Sequence, residues 1–258
     1  MRTLFALMLL CTCLQARALG TLADVRVVDR ASGEVLPTYY HAGEYWIAGS
    51  PGRNYAIEIR NLAGERLLAV TAVDGINVVS GETADWNQTG YVLRAGQRYQ
   101  VTGWRKSDAE VAAFSFTALP NSYAARTGRP ANVGVIGVAL FGERRPEPEE
   151  SLASDRAAEA ASPPALFGAQ AGQKAAPSAL PAPAAKLGTG HGEREYSRVT
   201  HTDFERLAAQ PNEVIRIRYD SWDNLLAMGV VPRRPAVSRL PNPFPGSADA
   251  RYVPDPPG

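Results

Sequence analysis

Cysteine is nearly absent from this chain of 258 residues. The two cysteines, Cys11 and Cys13, lie in one apolar run from Leu4 to Leu14, which follows a basic Met1-Arg2 start and ends in Ala18-Leu19-Gly20. This is the pattern of a cleaved secretory signal peptide, which we expect over residues 1–20. The mature chain then has no thiol nucleophile, no thiolate metal ligand and no disulfide, although an oxidising destination would permit one.

Long apolar runs and an excess of charge of one sign are also lacking. The run from Leu4 to Leu14 is shorter than the about 20 residues that cross a bilayer, and no second long run follows residue 20. We therefore expect no transmembrane segment after cleavage. Loss of Arg2 and Arg17 leaves 25 basic against 26 acidic residues. That balance argues against nucleic acid or an anionic membrane surface as partner.

Lysine is scarce as well, since only Lys106, Lys174 and Lys186 occur, and alanine is abundant. A chain rich in arginine and alanine is typical of a GC-rich bacterial genome. Together with the signal peptide, this predicts a periplasmic or secreted protein of a Gram-negative bacterium.

From residue 21 to residue 143 the chain has the pattern of short strands joined by turns. Tyr55, Ile57 and Ile59 occupy alternate positions, the period of a strand with one buried face. Leu67–Val73, then Asp74-Gly75, then Ile76–Val79 predict a type I′ hairpin, because that turn needs positive φ at both central residues. With no helix pattern between the strands, residues 21–143 predict a mainly β fold, an antiparallel β-sandwich (Ig-like or related).

The remainder of the chain divides into three segments. Residues 144–186 are dominated by alanine and proline and predict a disordered linker. Residues 187–231 predict a small α/β module, which is too short to fold alone and is expected to dock on the β-domain, on a second copy or on another protein. Residues 232–258 form a proline-rich tail.

Within the small module, three elements are predicted. Thr202 and Glu205 have the spacing of a capping box, which predicts a helix to about Ala209. Ile215, Ile217 and Tyr219 alternate as in a strand, and Asp220-Ser221 can cap a last short helix that Gly229 closes. The glycines of Gly188–Gly192 favour a flexible hinge over a phosphate-binding loop, since no phosphate-loop spacing is present.

A possible metal site lies in the same module. His191, His201 and Asp203, in a cluster that extends to Glu205, could hold zinc with an open position for water, as in a metal-dependent hydrolase. No recognised zinc-binding spacing is present, and Thr202 and Glu205 have a capping role. The favoured interpretation is a solvated, helix-capping surface, and the hydrolase stays an alternative.

A ligand-binding surface is the other candidate. Aromatic rings next to polar side chains can stack on sugars, and two arginines in one loop can converge on a carboxylate or phosphate. Core packing and ordinary polar turns are the favoured explanations. The residues concerned are Tyr39, Tyr40, Tyr45, Trp46, Trp86, Arg126 and Arg129.

Four strings of the chain resemble an uncharacterised family of exported proteobacterial proteins: Gly75–Val78, Gly103–Ser107, Asn132–Phe141 and Gly188–Glu195. The resemblance covers the β-domain and the small module, and it implies no activity or site residues. It supports the division into modules.

The sequence predicts a non-enzymatic envelope protein with a binding or structural role and no cofactor. It would contact an envelope protein partner through the sandwich and the small module. A carbohydrate- or peptidoglycan-binding module is the first alternative, with a glycan as ligand. The metal-dependent hydrolase is the second.

Overall fold

A computed structural model describes residues 19–144 and 186–232. Nearly all of the predicted signal peptide, linker and tail lie outside the described residues. The strands are β1 (Ala23–Asp29), β2 (Thr38–His41), β3 (Glu44–Gly49), β4 (Asn54–Asn61), β5 (Leu67–Val73), β6 (Ile76–Asn77), β7 (Tyr91–Leu93), β8 (Arg98–Val101), β9 (Gly103–Arg105), β10 (Glu110–Ala118), β11 (Val135–Gly142), β12 (Leu187–Tyr196) and β13 (Glu213–Ser221). The short helices are α1 (Tyr123–Arg126) and α2 (Trp222–Ala227), and single 3-10 turns occur at Leu119–Asn121 and Pro130–Asn132.

The strands form two sheets. The first has the order β1-β4-β10-β12, with β8 paired to β4 and β9 paired to β10. The second has the order β2-β3-β13-β11-β5-β6, with β7 also paired to β5. The pairs are antiparallel except that β13 runs parallel to β3. The predicted mainly β fold is confirmed, and the second sheet is mixed rather than wholly antiparallel.

One hydrophobic core lies between the sheets. Phe114 and Ile57 of the first sheet belong to the same buried cluster as Ile136 and Ile217 of the second. Strand β13 shows why: Ile217 is buried while its neighbours Arg216 and Arg218 are exposed, so alternate residues of the strand face the core and water. The fold is therefore a sandwich of two sheets.

The predicted hairpin between β5 and β6 is confirmed. Asp74 and Gly75 have φ of 54° and 74°, as a two-residue primed turn requires. Asp74 is nevertheless buried. Its carboxylate thus lies inside the sandwich although it belongs to a turn.

The segment 187–231 belongs to both sheets. Strand β12 pairs with β10 in the first sheet, and β13 inserts between β11 and β3 in the second. These pairings place the segment inside the sandwich, where the sequence predicted a separate small module. The predicted strand through Ile217 and the last helix are confirmed, since Ser221 Oγ accepts a hydrogen bond from the Asn224 backbone nitrogen at 3.3 Å.

Two local predictions in this segment are wrong. The expected helix after Thr202 does not form: the Val199 backbone nitrogen donates to the Asp108 carbonyl at 2.8 Å and that of Leu207 to the Gly142 carbonyl at 2.9 Å. These bonds to neighbouring segments replace the helical ones, and Glu205 pairs with Arg144 at 3.1 Å instead of capping. The expected hinge Gly188–Gly192 is part of β12.

A buried hydrogen-bond network ties this segment to the rest of the fold. The Tyr219 hydroxyl and the Gly134 backbone nitrogen donate to Asp74 Oδ1 at 2.5 and 2.9 Å, and the Thr189 backbone nitrogen donates to Oδ2 at 2.9 Å. The Thr189 hydroxyl also bonds the hydroxyls of Tyr55 and Tyr219, at 2.6 and 2.7 Å. The network joins β4 and β12 of the first sheet to β13 and the hairpin of the second.

Candidate functional site

The predicted aromatic ligand site is divided by the fold. Tyr39 and Trp46 are cross-strand neighbours on β2 and β3, and they pack with Trp222 in the cluster that holds α2. Tyr40 and Tyr45 are opposite each other on the same strands, with ring centroids 5.2 Å apart and 68% and 40% exposure. Two of the four rings thus have a packing role.

The other predicted ligand residues lie elsewhere. Trp86 is in the loop after β6, at the opposite edge of the second sheet from β2, and is 43% exposed. Arg129 donates to the Gly81 carbonyl at 3.1 Å, which fixes its own turn against that loop. Arg126 is the last residue of α1. The fold does not gather these side chains around the tyrosines.

The predicted metal ligands are not brought together either. His191 lies beside the ring of Tyr123, and burial, followed by the charges of Lys106 and Arg126, lowers the pKa of its imidazole. His201 instead contacts Asp108 Oδ1 at 3.0 Å. Within residues 19–144 and 186–232, no group of three His, Cys, Asp or Glu side chains could hold a metal ion. The cationic surroundings of His191 also disfavour a metal cation.

The sequence did not predict a hollow that the structure shows at one margin of the sandwich. It has a volume of about 910 Å³ and lies at the margin where β7 of the second sheet faces β8 and β9 of the first. Residues 198–202 form one wall and the turn 94–97 forms another. We call it the arginine cleft, after the residues Arg66, Arg94, Arg105 and Arg198 that line it together with Tyr91 and Tyr99.

Arg105 organises one end of the cleft. Its Nη2 donates to the hydroxyls of Tyr91 and Tyr99 at 3.2 and 3.5 Å, and its Nη1 donates to the Ser197 carbonyl. The two tyrosine rings have centroids 5.0 Å apart. Burial raises the pKa of Tyr91, although the neighbouring guanidinium opposes this. The partners of Arg105 are neutral, so its charge is not compensated there.

The wall of residues 198–202 is fixed at both ends. At the Arg105 end, the backbone nitrogens of Ser197 and Val199 donate to the carbonyls of Ala109 and Asp108, both at 2.8 Å. At the other end, Arg66 donates to the Thr202 hydroxyl at 3.2 Å and to the Asp203 carbonyl at 3.0 Å. These bonds place His201 and Arg198 on the cleft without a helix or strand.

The cleft carries excess positive charge. Arg66 is paired with Glu143, and this contact holds the pKa of the Glu143 carboxyl below its usual value. Among the described residues, Arg94, Arg105 and Arg198 form no ion pair. Asp108, which faces His201, is the one acidic residue of the lining. A concave surface with this charge attracts anions.

A second hollow, of about 650 Å³, lies on the outer face of the second sheet. Arg216, Arg218 and Glu44 line it together with Tyr45. The Arg218 guanidinium bonds the Glu44 carboxylate, so the positive charge of this second hollow is partly cancelled. The arginine cleft is therefore the stronger candidate for a ligand.

Sequence reasoning missed the cleft because its residues are far apart in the chain. Arg94 and Arg105 meet residues 198–202 only after β12 has paired with β10. No short motif joins these positions. The sequence did single out His201, but as a candidate metal ligand.

No protein-family model matches the chain, and neither does any curated protein or solved structure. The ligand class is accordingly inferred from the chemistry of the cleft.

Proposed function

We propose that the protein is an exported, non-enzymatic binding protein of the Gram-negative envelope, and that its arginine cleft holds an acidic segment of a partner protein. The secretory pattern of residues 1–20 supports export. The observation that carries the binding role is the set of three arginines, Arg94, Arg105 and Arg198, without a carboxylate partner in the described fold.

Arginine suits this role because its planar guanidinium can give two parallel hydrogen bonds to one carboxylate. The side chains of Arg94 and Arg198 are exposed and make no side-chain hydrogen bond within the described residues. They can therefore turn towards a ligand. Arg105 is held by the hydroxyls of Tyr91 and Tyr99, so its positive charge is fixed in position. Arg94 and Arg198 would therefore contact the ligand directly, and Arg105 would attract it over a longer distance.

The shape of the cleft favours an extended peptide as ligand. Strands β7 and β8, which border it, each pair with a single described strand. An unpaired strand edge presents backbone donors and acceptors to which an extended peptide can add. Acidic side chains of such a peptide would face the arginines on the opposite walls. This combination supports a protein partner over a small anion.

A fluorescein-labelled hexaglutamate peptide tests the proposal, with hexaglutamine as the uncharged control. We expect saturable binding of hexaglutamate to the mature chain, measured by fluorescence anisotropy, that weakens as salt rises. Arg94→Glu together with Arg198→Glu should lower the affinity by about tenfold or more, since two exposed attractions become repulsions.

Arg216→Glu is the matched control, because it makes the same change of charge at an exposed arginine outside the cleft. It should change the affinity by less than about twofold at physiological salt, where charges beyond about 8 Å are largely screened. Equal losses in the cleft variant and this control would contradict a specific site. Absence of saturable hexaglutamate binding to every form of the chain would remove the proposed function.

A further inference from the structure

The described chain leaves the sandwich at the Arg66 end of the arginine cleft. Glu143 bonds Arg66, which lines the cleft, and the backbone nitrogen of Arg144 donates to the Glu205 carbonyl at 2.9 Å. The Arg144 guanidinium pairs with the Glu205 carboxylate at 3.1 Å. These contacts fix the point from which the following residues start.

The residues that follow Arg144 include one further arginine, Arg145, and then three glutamates. Glu147, Glu149 and Glu150 lie three to six positions beyond Arg144. The other ends of the described ranges differ, because Arg233 and Arg234 follow residue 232 and Ala184-Ala185 precede residue 186. The acidic stretch therefore starts from the Arg66 end of the arginine cleft.

The distances allow these glutamates to reach along the cleft. Ser197 and Thr202, which bond its two ends, are five residues apart, so the cleft wall spans at most about 18 Å. Six residues from Arg144 to Glu150 span up to about 21 Å when extended. The three carboxylates can then be distributed from Arg66 towards Arg105.

We propose that the segment Glu147–Glu150 of the same chain binds in the arginine cleft and competes there with the acidic segment of a partner. This inference rests on the proposed function and adds a regulation of the same site. Charge complementarity supports it: three carboxylates meet the three arginines that have no ion pair in the described fold. The chain thereby carries a competitor for its own ligand.

The size of the effect follows from intramolecular binding. A short connection gives a bound segment an effective concentration in the millimolar range. If the segment binds with a dissociation constant of about 0.1 mM, competition lowers the apparent affinity of an external ligand by about tenfold. Weak intrinsic binding is thus enough for a measurable effect.

The test compares the mature chain with the triple variant Glu147→Gln, Glu149→Gln, Glu150→Gln. We expect the triple variant to bind labelled hexaglutamate about tenfold more tightly. The control Glu34→Gln, Glu193→Gln, Asp223→Asn makes the same change in net charge at exposed residues that do not line the cleft. It should bind the probe as the parent does. A single cooperative thermal unfolding transition in both variants would show that the sandwich is intact.

A synthetic peptide of residues 145–152 provides a second measurement. It should displace hexaglutamate from the triple variant, whereas the same peptide with three glutamines should not. Equal affinity of the parent and the triple variant for hexaglutamate would overturn the inference and leave the proposed function standing. Failure of both to bind hexaglutamate would remove the proposed function, and the inference with it.

Discussion

The sandwich contains two polar clusters that are built in opposite ways. In the buried network, the Asp74 carboxylate receives hydrogen bonds from Tyr219, Thr189 and Gly134. In the arginine cleft, the side chains of Arg94 and Arg198 form no hydrogen bond or ion pair with the described residues and are exposed to water. One cluster is closed and satisfied, and the other is open and carries uncompensated charge.

The difference separates a structural role from a binding role. Burial penalises an unsatisfied polar group by about 1–3 kcal/mol, so a network such as that of Asp74 persists because its members satisfy one another. An exposed arginine without a partner lowers stability only slightly, because water solvates its charge. Several arginines that lie close together, however, repel one another. A cluster of like charges that repel one another, with no opposite charge in the described fold, is better explained by a role in ligand binding than by a role in stabilising the fold.

Breaking the buried network should have the largest effect. Asp74→Ala leaves the donors of Tyr219, Thr189 and Gly134 without their acceptor inside the sandwich. We expect the free energy of unfolding to fall by about 3–5 kcal/mol, including the strain of alanine at positive φ. Urea unfolding followed by tryptophan fluorescence measures it.

Asp74→Asn is the matched control. Asparagine tolerates positive φ, as at the observed φ of 54°, and its amide oxygen still accepts. Because burial raises the pKa of Asp74, a neutral amide also avoids part of the cost of a buried charge. The loss should be less than half of that for alanine. Equal losses would show that the hydrogen-bond network is not what stabilises the hairpin.

The buried network shows how far the sequence could be read. Asp74-Gly75 predicts its own turn because the required φ values depend only on local residue types, and the alternation around Ile217 predicts a strand for the same reason. The sequence could not predict the hydrogen bonds of Thr189 with Tyr55 and Tyr219, because these bonds depend on how β12, β4 and β13 are arranged in the two sheets. The glycines around Thr189 instead suggested a hinge.

The arginine cleft shows where local patterns fail. Thr202 and Glu205 have the spacing of a capping box, but the backbone near them bonds to Asp108, Gly142 and Arg144. Tertiary hydrogen bonds replaced the helix that the local pattern favours. The same bonds create the wall of the cleft, so the sequence missed the site for the same reason that it mispredicted the helix.

Alkaline pH should weaken the buried network and lower the free energy of unfolding by an intermediate amount. Burial raises the pKa of Tyr55 and Tyr219 well above the ordinary value of 10.0. The protonated phenols therefore contribute stability that is fully present below pH 10 and is lost as pH rises towards the folded-state values. Each pH unit in that window costs about 1.4 kcal/mol per tyrosine. Urea midpoints from pH 8 to pH 11 measure the slope.

Tyr55→Phe should reduce that slope by about a third, because burial also raises the pKa of Tyr91, and it should cost about 1 kcal/mol for the lost hydrogen bond to Thr189. The ring stays stacked on Phe116, with centroids 4.3 Å apart in the parent. Tyr40→Phe removes an exposed phenol and should keep the parent slope. An unchanged slope in Tyr55→Phe would mean that buried phenols do not determine alkaline stability.

The smallest effect should come from the arginine cleft, and its sign is opposite. In the triple variant Glu147→Gln, Glu149→Gln, Glu150→Gln, whose cleft has no internal competitor, Arg94→Gln together with Arg198→Gln removes mutual repulsion near Arg105. We therefore expect the free energy of unfolding to rise by up to about 0.5 kcal/mol at low salt relative to the triple variant. The gain should disappear at about 1 M salt, where the screening length is about 3 Å. Urea unfolding at the two salt concentrations measures it.

Arg53→Gln tests whether this gain is particular to the cleft. Arg53 is paired with Asp29 at 2.9 Å and lowers the pKa of that carboxyl to about 2. Removing it should reduce stability slightly at neutral pH rather than increase it. If both arginine replacements reduced stability, the cleft charges would be structural, like those of the Arg53 pair. A gain confined to the cleft means that folding tolerates its charge at a small cost, as a binding surface requires.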